Sequence, residues 1–334
     1  MKTCIYGAGS LGTVLGAYIT KNGGEVDLVN RNKAHIEALK TNGAKITGTV
    51  DFTVPVRAFI PDEMCEKYDL IILLTKQLYN VEVLRGLLPF MQDDCVVCTL
   101  QNGMPELSVS EVVGRDRTMG CTVAWGATMI GPGVVELTSD PQSMSFGLGR
   151  MNGKKDDRLF EVKAFLEQMC PVQIEDNFMG VRWSKLLINA AFSGMSAVTG
   201  LTFGEAAAEK RSRKCVQMLI KECIDVAAAT GIKIEPVQGK DIVRLLDYHT
   251  PIKKKIAYMI IPLAIKKHAL LKASMLQDLE NGKKTEVDFI NGIVCDYGRK
   301  YGVKTPYNKK VVEIVHGIED GKYIPELENV TLFD

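Results

Sequence analysis

A glycine-rich segment near the start of the chain, Gly7-Ala8-Gly9-Ser10-Leu11-Gly12, has the spacing GxGxxG. It follows an apolar segment of strand character and precedes the amphipathic segment TVLGAYIT. In this context the first glycine allows a tight turn, the second lets the backbone approach a pyrophosphate, and the third lets the helix pack on the strand. The N-terminus of that helix offers free N–H groups to phosphates. The segment therefore predicts a dinucleotide-binding loop.

The segment EVDLVNR, residues 25–31, bears on the choice between the two nicotinamide cofactors. Domains that bind NAD commonly end this strand with an acidic residue, which hydrogen-bonds the ribose 2′-hydroxyl. Here the strand ends in Asn30 and Arg31, with Lys33 close behind, and Asp27 lies too early for that role. A guanidinium binds a 2′-phosphate through charge-assisted hydrogen bonds. We therefore predict NADPH/NADP as cofactor with Arg31 as a ligand; an Arg31 that is only a surface side chain is the alternative.

Two more polar residues follow predicted strands. Lys76 ends the apolar segment LIILLTK, and Asn102 follows a strand that ends near Leu100. Ligands of doubly wound sheets bind outside the carboxyl ends of the strands, so both residues fall in the region expected for ligand contact. Ordinary turn residues are the alternative at each position.

Alternating strand-like and helix-like segments in the first half of the chain are typical of a parallel sheet with crossover helices. We predict strands at 3–6, 25–30, 70–75, 95–100 and 118–122, and helices near 10–21, 33–42, 79–91 and 105–112. Strands near 133–138 and 144–148 follow a Gly-Pro-Gly turn, which suggests an antiparallel addition, and a helix at 156–169 and a strand at 171–174 complete this half.

Beyond residue 175 the pattern is helical. Helices are predicted at 178–198, 209–230, 236–247, 255–280, 284–300 and 306–318. The predicted fold is an α/β Rossmann-type N-terminal domain over residues 1–175, which binds NADP, and an all-α C-terminal domain over residues 176–334. We expect the second domain to bind the substrate and to form a homodimer.

Composition excludes several classes of function. The 334 residues exceed what one hydrophobic core usually supports, so two domains are expected. With 41 basic and 40 acidic residues, the chain has no overall field for nucleic acid. Nine scattered cysteines are unlike a disulfide framework, and the four histidines lack ligand spacing. We therefore expect a reduced, cytoplasmic protein without a bound metal.

Two further segments each allow more than one interpretation. Cys95 and Cys98 form a CxxC inside a predicted strand, where positions three apart point to opposite faces, so a redox pair or metal clip is not expected. The longest apolar run, residues 256–265, is too short to cross a bilayer. We interpret it as a buried helix segment that Pro262 kinks or interrupts, with a membrane-surface helix as the alternative.

The ordered segments GAGSLG, LLTK, QNGM, GPGVV, WSKLLINA and SMLQDLENGKKTEVDFINGIV resemble the ketopantoate reductase family over nearly the whole chain. Enzymes of this family are 2-dehydropantoate 2-reductases, which reduce ketopantoate to pantoate with NADPH in pantothenate and coenzyme A biosynthesis. The resemblance implies a Rossmann-type domain and then a helical domain, with the active site in the cleft between them and a small 2-oxoacid as substrate.

The resemblance also implies two catalytic residues. Lys185, in the segment WSKL, matches the family's catalytic lysine, and Glu286 matches the glutamate beside the cofactor and that lysine. A 2-oxoacid reductase needs a proton donor at the carbonyl oxygen, because hydride arrival turns that oxygen into an alkoxide. An ammonium group can fill this role. From spacing alone, a surface lysine would be the simpler interpretation of Lys185.

Binding roles are implied for five other residues. Lys76 matches a lysine near the cofactor, and Gly126 matches a glycine whose backbone approaches it. Asn102 matches an asparagine between the nicotinamide ribose and the substrate. Asn189 and Ser274 match substrate-binding residues, and Asn189 shares a helix face with the lysine four residues earlier.

Two departures from the family pattern leave the substrate open. Ser193 and Leu271 both stand where the family commonly has asparagine. We still predict Ser193 as a substrate-binding residue. Losing two amides weakens hydrogen bonding to a small hydroxylated acid and could suit a bulkier 2-oxoacid. A related oxidoreductase of another 2-oxo or 2-hydroxy acid is therefore the first alternative. A non-catalytic NADPH-binding regulator is the second, although such a protein needs no proton donor.

Overall fold

The computed structural model describes residues 1–237 and 239–333. The chain forms two compact units. The first comprises Met1–Gln101 and Pro105–Phe178, and the second comprises Asn102–Met104 and Met179–Asp334.

The first unit contains twelve strands within the described residues. They are β1 (Thr3–Tyr6), β2 (Asp27–Val29), β3 (Ala44–Gly48), β4 (Phe52–Val54), β5 (Arg57–Phe59), β6 (Tyr68–Leu73), β7 (Met91–Thr99), β8 (Thr118–Val123), β9 (Ala127–Gly131), β10 (Val134–Leu137), β11 (Phe146–Gly149) and β12 (Val172–Ile174). Five helices accompany them: α1 (Ser10–Lys21), α2 (Lys33–Asn42), α3 (Asn80–Leu87), α4 (Pro105–Val113) and α5 (Asp157–Leu166).

Eight of the strands form one sheet in the order β12-β11-β8-β7-β6-β1-β2-β5. The six strands from β5 to β8 are parallel, and β11 joins β8 in the antiparallel direction. From β5 to β8 this is the order of dinucleotide-binding domains, and it reverses at β1. The predicted Rossmann-type fold is confirmed. Of the two strands predicted as an antiparallel addition, only the one near 144–148 joins this sheet, as β11, whereas the one near 133–138 is β10 of a separate sheet.

Both faces of this sheet are covered by hydrophobic core. Alternate residues of one strand enter different layers: Cys95 packs with one cluster and Cys98 with the other. The two CxxC cysteines therefore point to opposite faces, as the strand period predicts.

A second, four-stranded sheet, in the order β4-β3-β10-β9, has no counterpart in the sequence prediction except β10. Its other three strands, β3, β4 and β9, lie in segments for which no strand or helix was predicted. They have only three to five residues each and bury few side chains, so their hydrophobic alternation is weak.

The second unit is helical, as predicted. Its helices are α6 (Phe178–Ile188), α7 (Gly194–Thr199), α8 (Phe203–Ala208), α9 (Lys210–Thr230), α10 (Ile242–Leu246), α11 (Pro251–Ala264), α12 (Ser274–Glu280), α13 (Ile293–Tyr301) and α14 (Pro306–Glu319). Among the described residues of this unit two single π-turns occur, at Asn189–Ser193 and Asp288–Gly292. The longest helix, α9, packs against α8, α11, α13 and α14.

Three predictions for this unit are wrong in detail. The helix predicted at 236–247 is only the five-residue α10, preceded by an isolated bridge between Val237 and Lys240; position 238 lies outside the described residues. The helix predicted at 255–280 is two helices, because a 3₁₀ turn at Lys266–His268 ends the first. The helix predicted at 284–300 begins with a π-turn rather than an α-helical turn.

The apolar run at 256–265 is also not a buried segment. Only Ala257, Ile261 and Ile265 are buried, whereas Ile256, Met259 and Leu263 are exposed. Helix α11 runs through Pro262 and ends two residues later, so the proline does not interrupt it. Across residues 1–237 and 239–333, no helix is both long and apolar enough to span a membrane.

Candidate active site

The glycine-rich loop between β1 and α1 is tight on one side and open on the other. Gly7 has a φ of +104°, and a Cβ there would lie 2.5 Å from the Thr75 nitrogen. A Cβ on Gly12 would lie 2.8 Å from the carbonyl oxygen of Gly7. By contrast, the nearest heavy atom to a Cβ on Gly9 would be 3.9 Å away. The first and third glycines thus serve packing, and the second leaves space for a ligand.

The buried side chain of His35 is linked to this loop through Thr13. The Thr13 hydroxyl donates to the Ala8 carbonyl at 3.3 Å, and the Nε2 atom of His35 lies 3.0 Å from that hydroxyl. Nδ1 of His35 accepts the backbone N–H of Gly133 at 3.0 Å, so Nε2 must carry the proton and donate to Thr13. Burial lowers the pKa of His35, which favours this neutral tautomer.

A cleft of about 280 Å³ lies beside the loop and contains two of the predicted cofactor-binding side chains, Arg31 and Lys76. Asn30 also lines it, and its side chain accepts the backbone N–H of Asn32 at 2.9 Å, which turns the chain at the strand end. Burial raises the pKa of the Tyr6 hydroxyl, and the positive charge of the nearby Arg31 partly offsets that rise. The cleft therefore presents two exposed positive charges next to the open side of the loop.

Asp27 begins β2 rather than ending it, so it lies at the opposite end of the strand from the cleft. Its buried carboxylate accepts from the Tyr68 hydroxyl at 2.8 Å and pairs with Arg57 at 2.8 Å. These contacts give the residue a structural role.

A buried amide pair joins the ends of β6 and β7, from which Lys76 and Asn102 emerge. The Gln101 amide donates to the Thr75 carbonyl at 2.6 Å and to Asn80 Oδ1 at 2.7 Å, and Asn80 donates back to Gln101 at 3.0 Å. Sequence reasoning missed these two amides. The QNG segment was a signal for Gln101, but nothing adjacent in sequence marked its partner.

Gly126 lies between β8 and β9, where its N–H donates to the Ser139 hydroxyl at 2.9 Å. It follows a strand parallel to β7, so it belongs to the same edge of the sheet as Lys76. Among the described residues it does not line the cleft that contains Arg31.

In the second unit, Lys185 lies on α6 and is half-buried. The helix is fixed on both sides of it. Trp183 is fully buried, donates its indole N–H to the Cys223 carbonyl at 3.0 Å and packs edge-on against Tyr297. The Ser184 hydroxyl lies within hydrogen-bond distance of carbonyl oxygens on both sides. The segment WSK thus orients its lysine by burying the two residues before it.

The first π-turn begins at Asn189 and ends at Ser193, so it contains both predicted substrate-binding positions of this helix. Asn189 is half-buried and Ser193 is buried. Single π-turns inside α-helices occur frequently at functional sites. No sequence pattern predicted this one.

Ser274 is the first residue of α12 and is exposed. Helix α12 packs against α7 and against the first π-turn, which brings the elements of Ser274, Asn189 and Ser193 together. Leu271, three residues earlier, is half-exposed, and its carbonyl accepts from the Phe203 N–H at 3.0 Å.

Glu286 lies in a segment held by hydrogen bonds on one side and by an ion pair on the other. Thr285 donates its N–H and hydroxyl to the Glu319 carboxylate at 2.7 and 2.8 Å. His316 bridges Glu319 at 3.1 Å and Asp288 at 3.0 Å. Burial alone would lower the pKa of His316, but hydrogen bonds and charge from these two carboxylates raise it. The half-buried Glu286 therefore lies between Thr285 and Asp288, which are both tied to α14.

A bound dinucleotide fits the residues of the first unit. The open side of Gly9 gives a pyrophosphate room to approach, and the basic cleft beside it suits a further phosphate. A doubly wound sheet whose order reverses next to such a loop defines a dinucleotide-binding protein.

The chain belongs to the ketopantoate reductase family and is an oxidoreductase. The model "Ketopantoate reductase PanE/ApbA" matches residues 3–150, and its C-terminal counterpart matches residues 177–319.

Relatives of known name extend over nearly the full chain. A 2-dehydropantoate 2-reductase of Streptococcus pyogenes serotype M18 is 29% identical over 323 residues, which are 96% of this chain and 98% of the relative. One from Pyrococcus horikoshii is 28% identical and covers 92% of this chain and 94% of its own. A ternary structure of D-mandelate dehydrogenase with NADH and anilino(oxo)acetate superposes with a TM-score of 0.82 at 25% identity, covering 96% and 99% of the two chains.

Proposed function

We propose that this protein reduces a 2-oxoacid to the 2-hydroxyacid with NADPH, and that the substrate is 2-dehydropantoate. The observation that carries the proposal is Lys185 on a helix that Trp183 anchors and that continues into the π-turn beginning at Asn189, in a chain similar to 2-dehydropantoate 2-reductases over nearly its full length. Residues 1–175 would hold the cofactor and residues 176–334 the substrate.

When bound, the reduced nicotinamide supplies a hydride to C2 of the oxoacid. The role of the chain is then to neutralise the charge that develops on the carbonyl oxygen. Lys185 is the proposed donor: its ammonium stabilises that oxygen and transfers a proton to it. Glu286 orients the ammonium, and its fixed backbone suits that task.

Binding roles are proposed for the remaining positions. Ser274 and Asn189 would hydrogen-bond the substrate, and Ser193 would form part of the same wall. Asn102 would lie between the ribose and the substrate. Support for the first two comes from the packing of α12 on the π-turn that begins at Asn189.

We infer NADPH rather than NADH from the charge of the cleft. Arg31 and Lys76 line it together, and no carboxylate is among its described lining residues. A 2′-phosphate would bring negative charge to the two cations there, whereas a ribose 2′-hydroxyl would bring none.

A bulkier 2-oxoacid is a second candidate substrate, favoured by two observations. Ser193 and the half-exposed Leu271 offer fewer amide groups than the family pattern at the proposed wall. The chain is also similar to D-mandelate dehydrogenase, whose ternary structure contains an aryl-substituted oxoacid derivative.

A substrate panel separates the two candidates. Oxidation of NADPH and of NADH is followed with 2-dehydropantoate, 2-oxoisovalerate and phenylglyoxylate at matched concentrations. The proposal expects the highest kcat/KM with NADPH and 2-dehydropantoate. A preference for phenylglyoxylate would favour the second candidate, and cofactor binding without oxidation by any acid would contradict both.

A further inference from the structure

The second unit contains two π-turns, and each accompanies a residue proposed to act in catalysis. The first, Asn189–Ser193, directly continues the helix of Lys185, and the second, Asp288–Gly292, begins two residues after Glu286. The two turns contact each other. Because a π-turn is less stable than an α-turn, both need contacts that hold them in place.

Asn291 supplies a contact between the two turns. It lies in the second turn, is fully buried, and donates from Nδ2 to the Ala190 carbonyl in the first turn at 2.9 Å. The same amide nitrogen donates to Oδ1 of Asn308 at 2.9 Å. The Asn291 side chain thus donates both of its N–H groups, one to the segment that follows Lys185 and one to α14.

The orientation of the Asn291 amide is fixed by the residue below it. Asn308 donates its own Nδ2 to the Glu222 carboxylate at 2.7 Å, so its Oδ1 must face Asn291. Glu222 is buried and also accepts the backbone N–H groups of Tyr307 and Asn308 at 2.8 and 2.9 Å. The chain of hydrogen bonds therefore runs from α9 through the start of α14 to both π-turns.

The space around Asn291 leaves it little freedom to shift. A Cβ on Gly194, directly after the first π-turn, would lie 3.0 Å from Oδ1 and 3.1 Å from Nδ2 of Asn291. A side chain at this position would push the amide away from the turn. The glycine and the asparagine therefore fit together, and the WSKLLINA and TEVDFING segments meet at this point.

We propose that Asn291 is a positioning residue that fixes the Lys185–Asn189 segment against the Glu286 segment. This proposal rests on the proposed reductase function. Reacting groups must be held to within a fraction of an ångström, and a misplacement of about 1 Å costs on the order of 100-fold in rate.

The test compares Asn291→Leu with a matched control, Asn329→Leu. Asn329 is also buried in this unit and donates from Nδ2 to two backbone carbonyls, of Val198 and Ile324, at 2.9 and 2.7 Å. Both variants lose two buried hydrogen bonds. We expect Asn291→Leu to lower kcat roughly 10- to 100-fold with the best acid of the panel, and Asn329→Leu to stay within about 2-fold of the parent.

A kinetic isotope effect distinguishes positioning from loss of folded protein. With NADPH deuterated at the transferred position, slower chemistry raises the isotope effect on kcat, whereas a smaller active fraction leaves it unchanged. We expect the effect to rise for Asn291→Leu alone. If that variant does not fold, the smaller changes Asn291→Ser and Asn329→Ser are compared in the same way.

Suppose that the parent protein is an active reductase and that the two asparagine variants have equal kcat values and equal isotope effects. That result would overturn the positioning role only. A parent protein that reduces none of the acids would instead refute the reductase function and this role together.

Discussion

Arg31, Lys76 and Lys185 are three basic side chains with different surroundings in a chain whose net charge is only +1. The first two are exposed and share one cleft, while the third is half-buried on a helix anchored by Trp183. Exposure suits charge recognition of a phosphate, and partial burial suits proton donation to a single atom, because low dielectric strengthens the interaction.

Arg31→Ala tests cofactor choice at the residue scale. Losing a charge-assisted contact of about 1.5–3 kcal/mol should raise the KM for NADPH roughly 10- to 100-fold. The KM for NADH should change little, because NADH lacks the 2′-phosphate. Steady-state kinetics with both cofactors measure this, and Lys214→Ala, an exposed lysine of the second unit, is the control. Equal losses for both cofactors would contradict the role.

Leu271→Asn tests the substrate wall. Because Leu271 is 50% exposed, the change should cost little stability. Restoring an amide should raise kcat/KM for 2-dehydropantoate by about 10-fold relative to phenylglyoxylate, the value of one good hydrogen bond. Competition assays with both acids measure the ratio. An unchanged ratio would mean that this position does not face the substrate.

At the scale of elements, the glycine-rich loop shows how backbone packing makes a binding site. Its position between a strand and a helix was predictable because the spacing and the flanking patterns agree. The histidine beneath it was not, since His35 and its partner Gly133 are 98 residues apart and no local pattern links them. The π-turns were equally hidden, because their widened hydrogen bonding leaves the apolar periodicity of the helix nearly unchanged.

Gly12→Ala should weaken NADPH binding. The added Cβ would lie 2.8 Å from the Gly7 carbonyl oxygen, a backbone atom that cannot move without displacing the loop. Overpacking of about 1–3 kcal/mol predicts a Kd roughly 5- to 150-fold higher by fluorescence titration. Gly86→Ala, in α3 with no atom within 4 Å of the new Cβ, should leave the Kd unchanged. Similar Kd values for both variants would contradict the packing argument.

The His35 anchor predicts a pH dependence of stability. Burial lowers its folded pKa below the ordinary value of about 6.5, so below that pH the unfolded chain takes up a proton that the folded chain excludes. The histidine's contribution is therefore present above pH 6.5 and is lost as the pH falls through the folded pKa. Guanidinium unfolding between pH 8 and pH 5 should show a smaller loss for His35→Gln than for the parent.

The control for that experiment is His268→Gln, on an exposed side chain. Its stability should follow the parent across the same pH range. A parallel loss in His35→Gln would show that the anchor does not exclude the proton.

At the scale of the whole molecule, the sequence predicted the two-part architecture well because each half has its own periodicity. The small sheet of β3, β4, β9 and β10 was missed, since strands of three to five residues carry few buried positions. Helix α11 differs from its prediction in the opposite way. Its composition is that of a core helix, yet four apolar side chains, at 252, 256, 259 and 263, are exposed, which composition cannot show.

Local sequence patterns indicated the predicted site residues unevenly. The glycine-rich loop was predicted from the spacing of its glycines, and Arg31 from its position at the end of the second strand. Lys185, Glu286 and Ser274 followed only from the family resemblance. Glu286 and Ser274 lie 101 and 89 residues after Lys185, and no local motif indicates the chemistry of the three. For these three the structure supplies the neighbouring contacts that support a role.

The most direct test of the central claim is the kcat of Lys185→Ala with NADPH and the best acid of the panel, measured beside the Kd for NADPH. Loss of a general acid should lower kcat by about 10²- to 10⁴-fold and leave the Kd within ~2-fold of the parent. Lys214→Ala, an exposed lysine of the same unit, should behave as the parent does. Near-normal turnover in Lys185→Ala would contradict the account.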